Sequence, residues 1–93
     1  MIVSFRSKRL ERFFFSGYVK ALRFANKDRV VDVLERLEQS ENLKQLSRPK
    51  DRLHKLKGGY EGFYSIRISR NYRIIFRWVE EEGAHDVDLL DYH

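Results

Sequence analysis

Apolar residues follow two different periods along this 93-residue chain, and the change of period divides it. Before Pro49 the spacing is mainly helical; after Asp51 it alternates. The opening Ile2-Val3-Ser4-Phe5 reads as a short strand. Ser7 then suits the N-cap of a helix carrying Leu10, Phe13 and Phe14, with Gly17 placed to end it. Asn26 caps a second predicted helix, whose Val30, Val33, Leu34 and Leu37 obey the i, i+3, i+4, i+7 rule of one buried face. Its polar face carries Lys27, Asp28, Asp32, Glu35 and Arg36. A looser helical piece with Leu43 and Leu46 stops at Pro49, whose ring and missing N–H break the helical pattern.

Leu53 and Leu56 flank His54 in a short strand closed by Gly58-Gly59, and strands Phe63–Ile68, Tyr72–Val79 and Asp86–Tyr92 follow. Two helices ahead of a small, mostly antiparallel β-sheet predict an α+β fold with the helices packed on one side, organised as one domain over residues 1–93. The central hairpin predicts its own register. If Ile68 faces Tyr72 across Ser69-Arg70-Asn71, then Ile66 meets Ile74 and Tyr64 meets Phe76 on one apolar face. The same register sets Arg67 against Arg73 on the other face, where like charges directly opposite are destabilising. An anion between them removes that penalty, and so does splaying both side chains into water.

Composition narrows the classes. Hydrophobic residues at 42% and aromatic residues at 14% supply a core, which argues against a disordered chain. The absence of cysteine excludes disulfides and thiolate metal sites and fits a reducing cytoplasm. No apolar run approaches the roughly 18 residues that span a bilayer, and Met1 to Arg6 opens no signal peptide, so a soluble cytoplasmic protein is expected. Charge is uneven: residues 1–75 hold 18 Lys/Arg against 8 Asp/Glu, a net of +10, and residues 76–93 hold one Arg against six acids, a net of −5. A basic body attracts polyanions, and nucleic acid is the first partner to consider.

The chain has no P-loop, GxGxxG, GxSxG or HExxH pattern. What remains is a polar set in the last forty positions: His54, Lys57, Arg67, Arg73, Asp91, Tyr92 and His93. These are the residue types needed to cleave RNA through its own 2′-hydroxyl. That reaction asks for a base, cations for the charge building on the phosphate, and an acid for the departing 5′-oxygen. Duller readings exist for each: His54 as an ordinary strand residue, Tyr92 as edge packing, and His54, Asp91 and His93 as metal ligands. No metal or other cofactor is predicted, since no closely spaced His pair is present.

The runs Leu53-His54-Lys55-Leu56-Lys57-Gly58, Glu61-Gly62-Phe63-Tyr64-Ser65-Ile66, Asn71-Tyr72-Arg73-Ile74 and Asp91-Tyr92-His93 resemble the HigB branch of the RelE-like toxins, over essentially the whole chain. That resemblance implies a ribosome-dependent mRNA interferase of a type II toxin-antitoxin pair, opposed by a HigA-type helix-turn-helix antitoxin; the alternative is a non-catalytic RNA-binding or regulatory module using the same basic sheet face. It implies catalytic roles for His54, Lys57, Arg73, Asp91, Tyr92 and His93, with Asn71 nearby and the remaining basic position falling to Arg67 or Arg70. Tyr64 and Tyr72 stand where relatives often have Trp and are expected to stack on bases. Lys8, Arg9, Arg12, Lys20, Arg23, Lys27 and Arg29 are expected to dock on ribosomal RNA by phosphate contacts.

Overall fold

A computed structural model describes residues 1–17, 26–49 and 52–91. The elements run α1 (Lys8–Ser16), α2 (Lys27–Gln39), a 3-10 turn (Leu43–Leu46), β1 (His54–Lys55), a second 3-10 turn (Gly58–Tyr60), β2 (Phe63–Arg67), β3 (Tyr72–Val79) and β4 (Gly83–Asp91). Both helices start where their caps predict. The Ser7 side chain accepts from Leu10 N–H and that of Asn26 from Arg29 N–H, each satisfying an amide with no partner inside the helix. Gly17 ends α1 in the left-handed conformation, φ 67°, with its N–H on the Phe13 carbonyl.

The four strands form one antiparallel sheet in the order β1-β2-β3-β4. The predicted hairpin register holds: Ile66 pairs Ile74, Tyr64 pairs Phe76 and Arg67 pairs Arg73, and the Ile68 N–H donates to the Tyr72 carbonyl at 3.0 Å. A one-residue slip would have turned every apolar side chain to the wrong face, so burial leaves this register without a competitor. Ile66, Ile68, Ile74 and Phe76 join Leu10, Phe13, Val30, Val33, Leu34 and Leu37 in the core, with Leu46 from the 3-10 turn closing it. Each fully buried Leu or Val stabilises the fold by about 1.5–3 kcal/mol as an upper estimate. Among the described residues no helix is long and apolar enough to cross a membrane.

Two expectations need correction. The last strand starts at Gly83, three residues earlier than its alternation suggested. Ile75 pairs Asp88 while Arg77 pairs His85, so β4 carries one extra residue, a bulge marked by Asp86 at φ 54°. The bulge puts the inward Ala84 and Val87 three residues apart, which hides the strand from a period-two reading. Ile2 to Phe5, in turn, makes only two isolated parallel bridges, Ile2 to Ala84 and Phe5 to Val87. Its spacing of three matches the bulge, and Ser4 Oγ accepts from the Asp86 amide at 2.9 Å. Gly83 has φ 125°, and a Cβ there would collide with the Met1 carbonyl, so this contact requires glycine.

Candidate active site

Strand alternation sorts the polar residues before any contact is considered. His54 pairs Ser65, Ser65 pairs Ile75 and Arg67 pairs Arg73, and residues directly opposite share a face. His54, Ser65, Arg67, Arg73 and Ile75 therefore lie on the face of the sheet turned away from the helices. Ser65 and Ile75 are fully buried there, and Ile75 stands outside the main core cluster. An open depression of about 330 Å³ lies over this face, lined by His54, Leu56, Ser65, Arg70 and Arg73.

Within it Arg73 Nη1 lies 3.5 Å from Ser65 Oγ, so the seryl oxygen steadies one arm of the guanidinium. The two arginines differ in kind from lysines here, because planar forks of N–H donors match the oxygens of a phosphate. His54 is exposed at the β1 edge, where its imidazole is open to solvent and to a bound group. The arrangement joins an imidazole to two permanent cations around one small hollow.

The predicted site residues divide accordingly. His54 and Arg73 share the depression, and of the alternatives Arg67 and Arg70 it is Arg70 that lines it. Arg67 keeps its place opposite Arg73, with Nε 3.4 Å from the Ser69 carbonyl. Lys57 is exposed just before the second 3-10 turn, and Asn71 is half-buried in the hairpin turn. Asp91 pairs Tyr72, which packs on the core side, so alternation sets Asp91 on the face opposite His54 and Arg73. Tyr64 stacks on Phe76 with centroids 6.0 Å apart and also packs against the core. The structure does not bring Tyr64, Tyr72 or Asp91 into the depression. Tyr92, His93, Lys20 and Arg23 lie outside the described residues.

Of the other expected docking cations, Lys8, Arg9 and Arg12 are exposed along α1 and Lys27 is half-buried at the start of α2. Arg29 instead turns inward, to Asp32 and the Arg67 carbonyl. Sequence reasoning missed Ser65 and Leu56 as lining. Ser65 was available from the register, since it lies two residues from Arg67 and faces Ile75; Leu56, read as a strand flank, was not.

A small basic α+β domain with helices on one face of an antiparallel sheet has known counterparts in fold. The YoeB/ParE toxin from Agrobacterium tumefaciens superposes with a TM-score of 0.57 at 16% identity, over 99% of this chain and 97% of that one, which establishes the shared fold. The sequence model for the RelE-like toxin of type II toxin-antitoxin system HigB matches residues 3–93. Endoribonuclease HigB of Proteus vulgaris is 33% identical over 93 residues, covering the whole of both chains. This chain belongs to the HigB-like toxins.

Proposed function

We propose that this toxin is an endoribonuclease that cuts messenger RNA in the ribosomal A site, by attack of the 2′-hydroxyl and without a metal at the chemical step. The observation that carries the reading is the convergence of His54, Arg70 and Arg73 on one hollow. In this reaction a base takes the proton of the 2′-OH, O2′ bonds to phosphorus, and the bond from phosphorus to O5′ breaks. An acid then gives a proton to O5′, leaving a 2′,3′-cyclic phosphate and a 5′-hydroxyl. His54 is one partner in this exchange, and His93 is proposed as the other. Arg73 with Arg70 or Arg67, and Lys57, stabilise the charge that grows on the phosphate oxygens, which is commonly the largest single contribution to such catalysis. Asp91 is proposed to orient a neighbour and Tyr92 to stack on a base.

An open hollow on a 93-residue protein grips a free RNA chain poorly. Holding 2′-OH, phosphorus and leaving oxygen in line contributes about 7–11 kcal/mol, and a messenger held in the decoding site arrives with that geometry restrained. Lys8, Arg9, Arg12, Lys20, Arg23 and Lys27 are proposed to dock on ribosomal RNA, and a HigA-type antitoxin with an acidic face to oppose the toxin in the cytoplasm. Salt should weaken both associations.

The test compares one messenger free in solution and bound in a programmed ribosome, at equal toxin and salt. Faster cutting in the ribosome is expected, and equal rates reject ribosome dependence. A 2′-deoxy sugar on the 5′ side of the cut should bind and stay intact. Cleavage of that substrate rejects 2′-OH attack, and a divalent ion required by pre-formed complexes at the cutting step rejects the metal-free route.

A further inference from the structure

Antiparallel pairing turns the backbone polar groups of successive residues alternately toward and away from a given neighbour. The Ile68 N–H reaches Tyr72 on β3, so the Arg67 carbonyl points away from β3, on the side where β1 pairs no further than Ser65. That oxygen is taken by a helix side chain. Arg29 of α2 donates to it from Nε at 3.2 Å and from Nη2 at 3.0 Å. Its remaining arm, Nη1, lies 3.0 Å from Asp32 Oδ2, which also accepts from Arg48 Nη2 at 3.1 Å. The Arg29 side chain is only 16% exposed.

A planar fork with two bonds to one oxygen and a carboxylate behind it fixes direction as well as distance. Arg67 is the last residue of β2, and the turn that follows carries Arg70 and Asn71 before returning to Arg73. We infer that Arg29 is a positioning residue for RNA cleavage: its grip on the Arg67 carbonyl fixes the hairpin end that presents Arg70 and Arg73. This role rests on the reading of the hollow as the cleavage site. Arg29 does not line that hollow and needs no contact with RNA, which separates it from the exposed cations of α1.

The test uses messenger bound in programmed ribosomes, with wild type, Arg29→Gln, Arg29→Lys, Asp32→Asn and Arg73→Ala. A misplacement near 1 Å can cost about a hundredfold in rate, so Arg29→Gln should lower kcat by about tenfold to a hundredfold, with KM changed by no more than about threefold. Arg29→Lys should recover part of the loss and Asp32→Asn should show a smaller one. Amide resonances of residues 67–73 should shift in Arg29→Gln while those of 83–87 stay in place. If Arg29→Gln does not fold, Arg29→Lys and Asp32→Asn carry the same comparison. A rise in KM at unchanged kcat would make Arg29 a docking cation and overturn the inference, as would unmoved resonances at 67–73. Normal cutting by Arg29→Gln beside an inactive Arg73→Ala removes only the role of Arg29. Normal cutting by Arg73→Ala removes the site reading and this role with it.

Discussion

The outward face of the sheet treats charge differently at its two ends. At the far end Arg77 Nε meets Asp86 Oδ2 at 2.8 Å, and His85 Nε2 meets Glu82 Oε1 at the same distance. Each of these basic groups has a carboxylate partner, Asp86 turned outward by the bulge and Glu82 from the turn before β4. At the near end Arg67 stands directly opposite Arg73, Arg70 occupies the turn between them, and the seryl oxygen of Ser65 lies against Arg73. The hollow lies there, with His54 at its edge. One end of this face pairs its basic groups with nearby carboxylates, and the other brings Arg67, Arg70 and Arg73 close together beside the hollow.

The sharpest way to break this comparison is to remove His54, the proton-transfer group proposed for the near end. His54→Ala should lose about 100- to 10,000-fold in single-turnover cleavage of ribosome-bound messenger, the usual cost of deleting a general acid or base. Its circular dichroism should remain that of the wild type, because His54 is exposed and outside the core. Full activity would take His54 out of the mechanism.

A second substitution makes the near end resemble the far one. Arg67→Glu places a carboxylate opposite Arg73, and opposite-charge pairs across strands contribute about 0.2–1 kcal/mol. Denaturant unfolding should show a small gain in stability, while cleavage falls by tenfold or more, roughly one phosphate contact's worth. A loss of both together would mean that the arginine pair is structural.

How much of this was legible beforehand differs by element. The helices and the central hairpin were, because caps, a helical stripe and a strict alternation all agreed with the buried faces that formed. The start of β4 was not, because a bulge breaks the period that identifies a strand. In the site, the opposition of Arg67 and Arg73 was readable from register alone. The same register already placed Tyr64 and Tyr72 on the core side, which conflicts with assigning them base stacking beside those arginines. Arg29 was unreadable for another reason: a long side chain sends its charged head well away from its own backbone, so helix position alone does not say what it touches.

The smallest expected effect lies at the far end. Asp86→Asn keeps a residue that tolerates positive φ and removes one charge from a pair whose side chains are 43% and 41% exposed. Exposed pairs of this kind contribute about 0–1 kcal/mol, so the unfolding midpoint should fall slightly and cleavage should stay within about twofold of wild type.

Arg73→Ala and Arg77→Ala offer the most direct trial of the two-ended account, since both remove an arginine from the same face of the same strand. Single-turnover cleavage of one messenger in programmed ribosomes should fall by about a hundredfold or more for Arg73→Ala, as for loss of a transition-state charge partner. The Arg77→Ala rate should remain close to wild type. Equal losses in the two variants, or the larger loss at Arg77, would contradict the account.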